Sequence, residues 1–123
     1  MKGVDLELLR CIPHREPMLM VDTIVHVDKS RCFCRQSLTG GEIWFRGHFP
    51  DAPIFPGVLQ IEAMAQTAAI WMHHMLQYPH LALFAGVEKV EFRKKVRPPE
   101  TLEYKIALEK MCGKFLTFSA IVT

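Results

Sequence analysis

Between Pro56 and Pro79 the chain carries about twenty residues, VLQIEAMAQTAAIWMHHMLQ, that read as one long helix. Pro56 suits the first helical turn, where its missing N–H would lack a partner anyway, and Pro79 forces a stop. At 1.5 Å per residue such a helix spans roughly 30 Å. Apolar residues fall on nearly every side: Val58, Leu59, Ile61, Met64, Ala65, Ala68, Ile70, Trp71, Met72 and Met75. A helix with so little polar face is expected to be buried all round. A membrane span is the rival, but Gln60, Glu62, Gln66, His73 and His74 interrupt it, and a central carboxylate in lipid is costly. A central helix wrapped by a curved sheet accounts for the pattern better.

The flanking segments supply that sheet. Met18 to Val27 is rich in β-branched residues and reads as a strand, with Arg31 to Leu38 as its antiparallel partner. Leu81 to Arg93, Thr101 to Glu109 and Lys114 to Val122 complete five expected strands. Asp5 to Cys11 reads as a short helical or coil segment, and residues 47–57, with three prolines and two glycines, as an ordered loop. The class is α+β, an antiparallel sheet curled around one long helix, with residues 1–123 as a single domain.

A net charge of +2 is too mild to argue for nucleic acid, and no basic run is interleaved with aromatics. The start, MKGVDLELLR, lacks the apolar core of a signal peptide or a spanning helix. Cys11, Cys32, Cys34 and Cys112 form no CxxC pair, which favours reduced thiols and a cytoplasmic location. Cys32 and Cys34 fall on one face of a strand, as small buried hydrophobes would. No metal site is expected: His73 and His74 are adjacent, about 100° apart on a helix, and His14, His26 and His80 have no companion at ligand spacing. No nucleotide fingerprint exists.

Why a buried helix should carry Glu62 is the informative question. Desolvation disfavours an ionised carboxylate, and a carboxyl kept protonated is a usable proton donor. Gln66, one turn on, can hydrogen-bond it. His48 sits in a loop stiffened by Pro50, Pro53 and Pro56, and imidazole is the side chain best suited to take a proton near neutral pH. Gly57, at the helix start, offers an unpaired N–H to a developing oxyanion and lets a ligand approach the backbone. A base, an acid and an oxyanion hole suggest proton abstraction beside a carbonyl with loss of a β-substituent. Loop histidines are often structural, however, and a Glu–Gln pair can simply satisfy itself. Spacing alone leaves both readings open.

The run Gly47 to Gln66, GHFPDAPIFPGVLQIEAMAQ, closely resembles the GHFP…P…PGV…E…Q signature of 3-hydroxyacyl-[acyl-carrier-protein] dehydratases of the FabZ/FabA-like type. Ile12 to Asp22 resembles the N-terminal PHR-x-P…VD segment of that family, and Phe84 to Lys94 its strand after the helix. The similarity covers about residues 12 to 105. It implies the hot-dog fold and a homodimer, which family members often assemble into a trimer of dimers. It implies His48 as base on the α-proton and Glu62 of the partner subunit as acid toward the departing β-hydroxyl. The Gly57 N–H would polarise the thioester carbonyl, with Gln66 orienting Glu62 and Phe49 in a supporting role. The implied substrate is a 3-hydroxyacyl chain presented by acyl carrier protein, in fatty-acid or related lipid or polyketide synthesis, and the reaction needs no cofactor. Asp51 stands where the family usually has glycine, as does Pro99, and another turn and strand would be expected after Thr123.

Lys89, Arg93, Lys94, Lys95 and Arg97 form a basic run after the helix. Such residues are commonly solvated guards of a strand edge; aided by Arg15, they could also be a landing patch for the acidic carrier. Met64, Trp71, Met72, Met75 and Phe84 could line an acyl tunnel or simply be core. Two rival functions share the scaffold: an acyl thioesterase, and a non-catalytic acyl-binding subunit. The pairing of His48 with Glu62 favours dehydration over both.

Overall fold

A computed structural model of the chain describes residues 3–77 and 82–123. In chain order it contains α1 (Leu6–Cys11), β1 (Thr23–Val27), β2 (Arg31–Leu38), a 3-10 turn (Ile43–Arg46), α2 (Gly57–Leu76), β3 (Glu100–Cys112) and β4 (Phe115–Val122). Asp5 caps α1, its carboxylate accepting from the Glu7 N–H at 3.0 Å. Pro56 precedes the first helical residue of α2, and Gln77, in the left-handed conformation at φ 49°, ends it.

The strands form one antiparallel sheet in the order β1-β2-β3-β4. Alternation along β2 turns Cys32, Cys34, Gln36 and Leu38 inward. Register sets three of these opposite Ile106, Tyr104 and Leu102 of β3, so the inner face is built from cross-strand pairs. Gly113, at φ +59°, makes the two-residue connection between the paired Cys112 and Phe115, a conformation that suits glycine. Trp71 locks the helix to this sheet: its Nε1–H donates to the Asp28 carbonyl at 3.0 Å, and its ring meets Phe118 edge-on. Trp71 is therefore core, whereas Met75 and Phe84 are exposed. The Cys34 thiol and then burial push Cys32 well above the usual thiol range, as an inert core residue requires.

The fold is the expected α+β, hot-dog-like arrangement of a sheet on one long helix, with two differences. First, α2 is not buried all round. Gln60, Ala63, Gln66, Thr67, Ile70 and Trp71 face the core, while Val58 is 70% exposed. A four-stranded sheet covers one face of a helix; on the rest of α2 Ile61, Ala65 and Met72 are half-buried, and Met75 and Leu76 join Val58 in being exposed. Second, four strands form among the described residues, not five. Leu81, with Pro79 and His80, lies outside the described residues, and residues 82–93 form no strand. Their composition favours extended backbone, but strand pairing also needs a ladder partner, and neither sheet edge reaches them. Leu83, Phe84, Val87 and Phe92 consequently stand exposed. Met18 to Asp22, expected as the start of the first strand, is irregular instead; β1 begins at Thr23. No helix among the described residues is long and apolar enough to cross a membrane.

On the inner face the Tyr104 hydroxyl donates to Gln36 Oε1 at 2.6 Å, both residues fully buried. Burial pushes the phenol above its ordinary range, so it remains a donor. Tyr104→Phe should therefore strand the Gln36 oxygen and cost about 1–3 kcal/mol. The check is a lower urea midpoint at unchanged slope.

Candidate active site

The loop before α2 is held by its own backbone. Phe49 N–H donates to Ala52 O at 3.2 Å, Ala52 N–H returns to Phe49 O at 3.1 Å, and Ile54 N–H donates to His48 O at 2.9 Å. Phe55, buried against Trp44 and Phe45, anchors the exit, and its N–H donates to Val96 O at 2.8 Å. Within this frame His48 Nδ1 lies 2.8 Å from Ile54 O. A carbonyl can only accept, so Nδ1 donates, and in the neutral imidazole the lone pair is on Nε2. The Phe49 ring stacks on the imidazole with centroids 4.3 Å apart. His48 is thus oriented as a base.

Gly57 opens α2, and no side chain caps that end. Leu59 N–H and Gln60 N–H donate to Pro56 O at 3.1 and 3.3 Å, which leaves the Gly57 and Val58 N–H groups as the outward donors of the first turn, with a partial positive charge. A Cβ on Gly57 would come within 2.8 Å of the Phe92 ring, so glycine is what lets Phe92 lie over the helix start. Between these groups lies a cavity of about 540 Å³ lined by His48, Gly57, Gln60, Phe92, Lys94 and Lys95 among others. The imidazole of His48 and the start of α2 therefore share one pocket.

Glu62 does not line that cavity. It is half-buried further along α2, where its Oε2 accepts from Gln66 Nε2 at 3.3 Å. The Gln66 amide has stronger ties elsewhere: Nε2 donates to Met18 O at 2.7 Å, and Oε1 accepts from Met20 N–H at 2.9 Å. Gln66 was expected only to orient Glu62; it also fastens the irregular segment before β1 onto the helix.

A family profile described as a FabA-like domain matches residues 12–122. The chain belongs to the FabA-like family. Among similar proteins, the "3-hydroxyacyl-[acyl-carrier-protein] dehydratase FabZ" of Staphylococcus carnosus is 39% identical over 87% of this chain and 75% of its own length. The protein of the same description from Oenococcus oeni is 40% identical over 95% of this chain and 86% of its own length. The solved structure described as "The Dehydratase Heterocomplex ApeI:P from Xenorhabdus doucetiae" superposes with a TM-score of 0.76 at 20% identity, covering 97% of this chain and 82% of that one. That last likeness concerns the fold alone.

Within this FabA-like chain the expected basic patch divides. Arg15 donates to the carbonyls of Leu9, Ile12 and His14, so its guanidinium closes the end of α1. Arg93, Lys94, Lys95 and Arg97 are exposed, and Arg93 pairs with Glu91 at 2.9 Å. Phe92 went unmarked in the sequence; the only signal for it was the glycine beneath. Two buried atoms without a hydrogen-bond partner, His14 Nδ1 and Trp44 Nε1, were equally invisible there. Gln66→Ala should leave Met18 O and Met20 N–H unpaired and destabilise the chain by at least about 1–3 kcal/mol, measured by urea unfolding. Gln66→Glu, which when ionised sets a buried carboxylate against Met18 O and Glu62, should destabilise the chain at least as much as Gln66→Ala.

Proposed function

We propose that this FabA-like chain dehydrates a 3-hydroxyacyl thioester carried on acyl carrier protein to the trans-2-enoyl thioester. The observation that carries the reading is the His48 Nδ1–Ile54 O bond at 2.8 Å, which leaves Nε2 free as a base in the same cavity as the Gly57 helix terminus. His48 Nε2 removes the α-proton while the Gly57 N–H stabilises negative charge on the thioester oxygen. The α-carbon electron pair forms the double bond, the β-carbon–oxygen bond breaks, and Glu62 protonates the leaving hydroxyl to water. His48 and Glu62 then exchange their proton through solvent, so the cycle closes without a cofactor.

Glu62 is assigned to the partner subunit of a homodimer. Its absence from its own chain's cavity supports this, as do the open face of α2 and the exposed Leu83, Phe84 and Val87. The stretch 1–123 acts as one hot-dog unit. A cytoplasmic setting, the compartment that keeps thiols reduced, fits four unpaired cysteines. Lys94 and Lys95 at the cavity, with Arg93 and Arg97 beside them, suit an acidic carrier approaching the pocket mouth.

Enoyl absorbance rising without free thiol separates dehydration from thioester hydrolysis, and thiol release alone overturns the proposal. His48→Ala and Glu62→Gln should each lower turnover by about 10²–10⁴-fold while leaving the chain folded by circular dichroism. A 1:1 mixture of the two, after subunit exchange, should recover about a quarter of the sites, because half the dimers are hybrids with one intact site each. Lys94→Glu with Lys95→Glu should raise KM for carrier-bound substrate at unchanged kcat, and added salt should shrink the difference.

A further inference from the structure

The end of α2 away from the cavity holds chemistry that dehydration does not use. Glu7 and Cys11 stand one turn apart on α1, so they share a face. α1 packs against α2, whose last turn brings His74 to that face, with Nε2 3.9 Å from Glu7 Oε1. These two atoms and Cys11 Sγ all lie within 4.8 Å of one another. A tetrahedral zinc-class ion with bonds of about 2.0–2.3 Å holds its ligand atoms roughly 3.3–3.8 Å apart. Closing the cluster therefore asks each atom to move by about 1 Å or less, within the reach of ordinary rotamer adjustment. The Glu7 and His74 side chains, 50% and 30% exposed, can make that move without disturbing the core, and Cys11 lies 9% exposed at the base.

We propose that Glu7, Cys11 and His74 bind one zinc-class divalent cation, with a fourth position open to solvent. An ion pair between Glu7 and His74 accounts for two of the groups but not for a thiol within 4.8 Å of both. Thiolate, imidazole and carboxylate are the three side-chain types that zinc selects. Without metal the Cys11 Sγ–H donates to the Glu7 carbonyl at 3.2 Å, and burial and then Glu7 push this thiol up to about 11. Binding therefore expels the Cys11 proton, and affinity rises with pH. Among the described residues, the other groups facing the cluster are Asp5 at the start of α1, Cys34 from β2, and Arg10, 3.8 Å from the second Glu7 oxygen. Arg10 competes with the ion for Glu7. The ion would clamp α1 to the end of α2 about 18 Å along the helix from Glu62, twelve residues away, so the site is separate from the dehydratase chemistry.

The test is titration of the chelator-stripped full chain with Co²⁺, a coloured stand-in for zinc. The expected result is one equivalent bound, with visible ligand-field bands and a near-ultraviolet thiolate-to-cobalt band, both bleached by Zn²⁺. Cys11→Ser should abolish the thiolate band, and Cys112→Ser should leave it unchanged. Because Cys11 is buried, Glu7→Gln and His74→Ala are read as well, and each should weaken binding by at least about 10-fold. No thiolate band, a band that survives Cys11→Ser, or unchanged affinity in both other variants overturns the proposal.

Discussion

The Gln66 amide is placed where the sheet cannot help. Before β1 the backbone at Met18 and Met20 has left the ladder, and its polar groups sit against the helix. One side chain answers both, its amide oxygen accepting from one residue and its amide nitrogen donating to another. The Met20 bond is buried and the Met18 bond partly so, and together they fix the helix against the chain that leads into β1. The same nitrogen reaches Glu62 at 3.3 Å. Packing of the fold and orientation of the acid thus share a group, and neither can be altered separately.

The remaining groups of the site are organised by a different device. Prolines and reciprocal backbone bonds hold the loop before α2, and that rigidity selects the histidine tautomer through Ile54. The loop then runs into the helix without a capping side chain, leaving the amide end bare where Phe92 and the imidazole converge. Base and oxyanion donors come from one continuous stretch of about ten residues, so their separation is nearly covalent. Glu62, by contrast, is placed by helix pitch and by its bond to Gln66.

How much of this was legible follows from the range of each interaction. His48 and Gly57 were readable because their signals are local: prolines around a histidine, and a glycine at a helix start. The alternation in β2 was readable for the same reason. The Gln66 ties to Met18 and Met20 join residues far apart in sequence, and no pattern of spacing announces them. Residues 82–93 misled because propensity describes one chain, while a strand is a property of two. His74 was set aside by its spacing to His73, yet the partners it meets stand on another helix. Spacing rules see one element at a time.

The unladdered stretch from 82 to 93 and the bare side of α2 leave apolar surface in water when the chain is alone. Covering it is favourable, and under the shared-site reading the same event brings a carboxyl to the imidazole. Assembly and competence are then one equilibrium. On progressive dilution, the activity of each chain should decline by mass action, with concentration itself serving as the switch.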